Sequence, residues 1–131
     1  MSTPVATNVA IVDDHDPLVH YTGAWQTAGA PEEFNATTSF SSEAGAAATF
    51  SFNGTSVTVF GTIAAKAQPN ASLTFLVDSS VSGAYTPPNG MTSDIHHEAL
   101  WASPALSDGP HTLVITQATA QAAGVIYLDY I

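Results

Sequence analysis

The chain has 131 residues, one Lys or Arg against eleven Asp and Glu, a net charge of −10 and no cysteine. Neutralising phosphates takes several cationic side chains, so nucleic acids and anionic membrane surfaces are disfavoured as partners. The missing thiols exclude disulfides, zinc–thiolate sites and thiol catalysis, and no apolar run is long enough to span a bilayer, so no direct membrane insertion is expected.

Residues 1–8 are polar and contain Pro4, which reads as a flexible N-terminal arm; residues 9–131 then read as one domain with a single core. A short strand is expected over 9–12, followed by the acidic corner Asp13-Asp14-His15-Asp16-Pro17. Pro17 forces Asp16 into an extended or turn conformation. The chain resumes extended over 18–21, reaches Gly23-Ala24-Trp25, and loops through residues 29–33. Residues 34–41 read as a strand rich in Thr and Ser.

Residues 46–63, AAATFSFNGTSVTVFGTI, carry the strongest local signal. Asn53-Gly54 lies between two alternating runs, the pattern of a type I′ hairpin turn, which needs positive φ at both central residues. Pairing outward from that turn places Phe52 opposite Thr55, Phe50 opposite Val57 and Ala48 opposite Val59. The other face pairs Ser51 with Ser56 and Thr49 with Thr58. One face is apolar and faces the core; the other is mostly hydroxyl. Phe60 interrupts the hydroxyl face with only Ala47 as its partner, and could anchor self-association, so a homo-oligomer is one expectation.

A loop over 64–70 follows, then a strand over 71–78 with Leu73, Phe75 and Val77 on one face. Residues 79–94 form a long Gly/Pro/Ser stretch with a short strand over 84–86. Extended segments are expected over 96–102, 111–117 and 125–131. No run shows a 3.6-residue period, and there is no internal repeat. Short strands separated by turn signals predict an all-β, single-domain antiparallel β-sandwich of the jelly-roll kind.

Three sequons, at Asn35, Asn53 and Asn70, match the N-glycosylation pattern, where composition alone yields roughly one. The start of the chain lacks a signal-peptide pattern, and the chain stops inside an expected strand. The first fits a protein made without a signal, a mature chain or a trimmed one, and the second leans toward a trimmed domain; a cytoplasmic location is the alternative if Met1 is the native start.

Four stretches taken together carry a resemblance: VDDHDPLVHYTGAW (12–25), FNGTSVTVFGTI (52–63), LSDGPHTLVITQ (106–117) and VIYLDYI (125–131). Nearly the whole chain resembles a family of extracellular β-sandwich domains common in mushroom-forming fungi. That family opens with DD-x-D-P-x-I-x-Y-x-G-x-W and places an LSDG-x-HTL-x-I strand after a GTS-x-x-x-x-G segment. Position 19 carries Val where Ile is usual. More distantly the chain is similar to galactose-binding-like jelly rolls, including sugar-binding modules attached to enzymes. The resemblance implies an extracellular or cell-surface module rather than a catalyst. Many relatives continue to a linker and a membrane span, which leaves anchoring undecided.

In the distant kin a structural calcium sits between N-terminal acidic residues and the Asp of a final LDYI strand. By that resemblance Asp13, Asp14 and Asp129 would hold calcium here, with Asp16 nearby, although the kin usually use Glu. Calcium takes about six to eight oxygen ligands, which carboxylates and carbonyls at a corner can supply. The competing reading has Asp14 and Asp16 capping the turn before Pro17 and Asp129 bonded locally.

Tyr21, Trp25, Tyr85 and Trp101 are the rings expected at loops, where sugar C–H faces stack on aromatics. Asn89, Asp94, His96 and His97 lie near Trp101 in sequence and offer donors and acceptors. Trp25 and Trp101 equally fit packing roles. On a regular strand His96 and His97 point to opposite faces and would not share one metal ion. His111 reads as a satisfied edge histidine.

There is no Gly-x-Ser-x-Gly elbow and no phosphate loop. With these absent, the resemblance implies a non-catalytic carbohydrate-binding module or lectin, with glycans as partners and no required cofactor. The alternative is a structural or interaction module of a fungal surface or secreted protein, with no small ligand.

Overall fold

Alternation of apolar and hydroxyl side chains runs through most of this chain, and each alternating run becomes a strand. The computed structural model describes residues 10–29, 31, 37–41, 43–63, 72–86, 94–118 and 126–131. Ten strands follow one another: β1 (Val19–Thr22), β2 (Gln26–Ala28), β3 (Thr38–Phe40), β4 (Ala47–Gly54), β5 (Thr58–Ile63), β6 (Leu73–Val77), β7 (Val81–Tyr85), β8 (Ile95–Ala102), β9 (Gly109–Gln117) and β10 (Ile126–Tyr130). No helix occurs among the described residues, and none is long and apolar enough to cross a membrane.

The strands form two five-stranded sheets, ordered β1-β4-β9-β6-β7 and β2-β3-β10-β5-β8. Every named pair is antiparallel, as the predicted sandwich requires. Inward residues of the first sheet (Phe50, Phe75, Val77, Leu113, Ile115) and of the second (Val59, Ile63, Leu100, Ile126, Leu128) form one buried cluster. Phe75 is 1% exposed, and truncating a ring so buried costs about 3–5 kcal/mol.

The central hairpin is not formed. The apolar faces of β4 and β5 point inward as expected, but the two strands belong to opposite sheets. β4 runs beside β9 through the full register from Ala47↔Thr116 to Gly54↔Gly109, so Asn53 and Gly54 lie in that ladder rather than in a turn. The chain then crosses the sandwich at Thr55 to Val57. Period-two alternation states which side chains face the core; it is blind to whether two strands meet edge to edge or across the core. The hydroxyl face is divided as well. Thr49 and Ser51 stay on the first sheet, while Phe60 on the second pairs with Ala99 and Tyr130 rather than with Ala47.

The two successive positive-φ residues of a type I′ turn are instead Asp78 (φ 53°) and Ser79 (φ 60°), closed by Ser80 N–H donating to the Val77 carbonyl at 3.0 Å. They join β6 to β7, which begins at Val81, earlier than the short strand expected at 84–86. β2 lies just before the loop expected at 29–33, in a stretch to which the sequence reading assigned no strand. The strand expected at 9–12 is not formed among the described residues, where Val12 instead exchanges single backbone hydrogen bonds with Ile131 at 2.8 and 2.9 Å. The arm at 1–8, Asn35, Asn70 and Asn89 lie outside the described residues.

Candidate functional site

The acidic corner is built where the N-terminal segment joins the end of β10. Asp13 bridges Tyr130, and Asp14 N–H donates to the Asp129 carbonyl at 3.0 Å. This pairing buries Asp14 and Asp129, both 0% exposed. The Asp14 carboxylate accepts hydroxyls from Ser39 at 2.6 Å and Thr37 at 2.7 Å, and His15 Nε2 lies 3.5 Å away. Burial raises the Asp14 pKa, the two hydroxyls oppose that rise, and the neighbouring Asp13 charge adds to it. Tyr21 closes the corner by donating its phenol to the Asp14 carbonyl at 2.5 Å, and burial pushes that phenol up to about 12.

The Thr37 hydroxyl also lies 3.1 and 3.3 Å from the two Asp13 oxygens. One hydroxyl has one proton to donate, so it cannot serve both carboxylates at once. Ligand atoms of Asp13, Asp14 and His15 all lie within 4.8 Å of one another, and the carboxylate oxygens are of the hard type that calcium takes. Asp129 joins the corner through its backbone carbonyl.

The rings expected at loops separate into two places. Tyr21 and Trp25 meet at 4.9 Å between centroids beside the acidic corner, and the Trp25 indole N–H donates to the Thr22 carbonyl at 2.9 Å. Both are half-buried against the core. Trp101 lies elsewhere: its ring stacks on Phe75 at 5.4 Å and 9°, over Gly83, with Tyr85 also packed on the core. Burial, then the Glu98 charge, raises the Tyr85 phenol. Asp94 is exposed at the start of β8.

His96 and His97 correct their expected opposition. Gly61 pairs with Glu98 and Ile63 with Ile95, which leaves Thr62 opposite both histidines. This is a β-bulge, and His97 takes a positive φ of 54° within it. As a result His96 Nδ1 meets Thr62 Oγ1 at 3.3 Å while the His97 ring lies 5.9 Å from Tyr130. Both contacts are on the outer face of the second sheet.

That outer face also carries rings that the sequence reading placed in no sugar site. Phe40 meets Tyr127 edge to face at 4.8 Å, and Phe60 stacks on Tyr130 at 4.6 Å and 12°. All four are half-buried. Tyr130 reaches this face because a bulge after Leu128 shifts its register against β5. Burial, then the Asp129 charge, raises the Tyr130 phenol, so it stays a protonated donor at neutral pH.

No family model and no curated protein sequence matches the chain. Solved structures do match in fold. A family 35 carbohydrate binding module from Clostridium thermocellum superposes with a TM-score of 0.63 at 11% identity, covering 94% of this chain and 96% of that one. A two-domain esterase active on acetylated mannans, co-crystallised with mannopentaose, gives 0.63 at 13% identity over 91% of this chain and 34% of its own. An exo-β-1,3-galactanase from Phanerochaete chrysosporium, bound to β-1,3-galactotriose, gives 0.60 at 11% identity over 92% and 28%. The chain thus spans about a third or less of these enzymes and nearly all of the binding module.

Proposed function

We propose that this chain is a non-catalytic carbohydrate-binding domain of a secreted or cell-surface protein. The observation that carries the reading is the end-to-end likeness to a carbohydrate binding module. With the enzymes the chain shares only a fraction of their length, so their activities are not carried over to it. Sugar would be held at the loop end beside the acidic corner, its C–H face on the half-exposed Tyr21–Trp25 pair and its hydroxyls on neighbouring polar groups. Asp13 and Asp14, supported by Asp129, are the residues that would hold a structural calcium there; two carboxylates crowding one hydroxyl support this. Such an ion would neutralise the buried charge and stiffen the corner.

A glycan array with and without chelator tests the reading, followed by tryptophan fluorescence titration of each hit. Binding that shifts the emission supports it. A blank array across fungal, plant and animal glycans removes it in favour of a structural or interaction module. The internal packing of both Trp25 and Trp101 would suit that second reading.

A further inference from the structure

A tight turn would account for Asn53-Gly54, and the structure has no turn there. Both residues lie in the ladder between β4 and β9, Asn53 opposite Pro110 and Gly54 opposite Gly109. Asn and Gly are among the poorest residues for a strand. Gly54 has no positive φ, and a Cβ built on it would meet only the Phe52 ring at an ordinary 3.9 Å, so neither conformation nor space requires glycine. Asn53 is exposed, and among the described residues its side-chain amide makes no hydrogen bond. The Thr55 side chain is exposed too, while its carbonyl is fixed by Leu106 N–H at 2.7 Å. A stretch that breaks local preference where packing gains nothing marks a functional position.

The same stretch is an open strand edge. β1 ends its pairing with β4 at Val19↔Phe50, so residues 51–54 have no paired strand on that side among the described residues. Thr112 turns its backbone toward β6, where its carbonyl accepts Asp78 N–H at 3.0 Å and its N–H donates to the Asp78 carboxylate at 2.8 Å. Ser51 lies opposite Thr112, so antiparallel alternation points the N–H and C=O of Ser51 and Asn53 away from β9, toward the open side. Such a segment is a template for an incoming strand.

We propose that Asn53 is N-glycosylated and that its glycan covers the open edge of β4; this rests on the secreted or cell-surface part of the reading above. In the transfer, Asn53 Nδ2 attacks C1 of the first sugar of an oligosaccharide carried on a lipid diphosphate. The N–C1 bond forms, the C1–O bond breaks, the lipid diphosphate leaves, and the amide gives up one proton to the transferase. The Thr55 hydroxyl completes the acceptor pattern, which is read on the still extended chain. The folded protein then has only to leave Nδ2 facing water, as the exposed position of Asn53 does. A bulky, solvated group at that point keeps a second strand from the free N–H and C=O groups of residues 51–53.

Peptide mapping of the whole chain, expressed behind a secretion leader in a eukaryotic host, tests the assignment. Cell and medium pools are both mapped, so a retained chain is read as well. The expected result is a glycan at Asn53, released by a peptide N-glycosidase that leaves Asp in its place. It should be lost in Asn53→Gln and Thr55→Ala and kept in Thr55→Ser. An Asn53 peptide unmodified in both pools overturns the assignment, whatever Asn35 and Asn70 carry. Tyr21 pairs with Ala48, roughly 17 Å along β4 from Asn53 at the usual strand rise, so the glycan array reads sugar binding separately. Array binding with an unmodified Asn53 overturns this site alone, and a blank array with an occupied Asn53 overturns the carbohydrate reading alone. Light scattering tests the guarding of the edge: Asn53→Gln should aggregate several-fold faster than the glycosylated wild type. Asn53→Lys, which blunts an edge by charge without a glycan, should restore the slow rate. If the Lys variant aggregates as fast as the Gln variant, or the Gln variant no faster than wild type, the guarding role is overturned.

Discussion

His111 is held at both ring nitrogens: Nδ1 meets the Asp78 carboxylate at 2.5 Å, and Nε2 meets the Ser107 carbonyl at 2.6 Å. A carbonyl only accepts, so Nε2 carries a proton, and the carboxylate at Nδ1 favours a second. The imidazole is buried, whereas Asp78 is largely exposed and also accepts Thr112 N–H at 2.8 Å. One cation thus ties the β6–β7 turn to the segment entering β9.

The sign of the pH dependence follows. The bond to Asp78, then that to Ser107, raises His111 above its ordinary 6.5, so its contribution is fully present below pH 6.5 and lost as pH rises through the folded value. The bond to His111, then that from Thr112, lowers Asp78 below 3.8, so its contribution is present above 3.8 and lost as pH falls through the folded value. Melting temperature should therefore fall on both sides of that window. His111→Gln should flatten the alkaline limb, and an unchanged limb would refute the charged clamp.

Asp14 has the opposite sign for a carboxyl. Burial raises its pKa above 3.8, so ionisation at neutral pH opposes folding at this position, and a proton or a cation relieves it. If calcium is the relief, millimolar calcium raises the melting temperature by several degrees and Asp14→Asn abolishes the response; ligand at a hundred times Kd adds about 2.7 kcal/mol. If melts with calcium and with chelator coincide, a shared proton is the account and the calcium assignment fails.

Gly83 lies directly beneath the Trp101 indole, and a Cβ there would strike Nε1, Cδ1 and Cε2 of that ring. Gly83→Ala should cost about 1–3 kcal/mol in urea unfolding and shift the tryptophan emission to the red. Adding Trp101→Leu should recover part of the loss, because the two substitutions share one clash. Strict additivity would show that the ring does not need this seat.

Ser79 holds a left-handed backbone while its side chain is exposed. Ser79→Gly should stabilise the chain by about 1 kcal/mol, since glycine reaches that conformation without a Cβ penalty. Chemical denaturation checks it, and a loss of stability would mean that the hydroxyl contributes more than the strain removes.

Much of the candidate site was legible only as composition. Asp13, Asp14 and Tyr21 are neighbours in the sequence and meet in space, so the corner could be named from a short stretch. The outer face of the second sheet could not, because Phe40, Phe60, Tyr127 and Tyr130 come from three strands, and a bulge carries Tyr130 onto it. Phe60 interrupting a hydroxyl run was the one available signal. Trp101, by contrast, offered nothing local to separate a loop ring from one stacked on Phe75.

What the sequence by itself determined was the all-β class and the inward set, because side-chain alternation with burial on one face is a local property that any pairing must satisfy. Which strands became neighbours was decided only by the tertiary structure. The turn preference of Asn53-Gly54 is a small local term, and it yields to the ladder β4 makes with β9 and to the apolar area buried when β4 and β5 face each other across the core. The same holds for His96 and His97, whose common face exists only because a bulge against Thr62 breaks the alternation that the sequence implies.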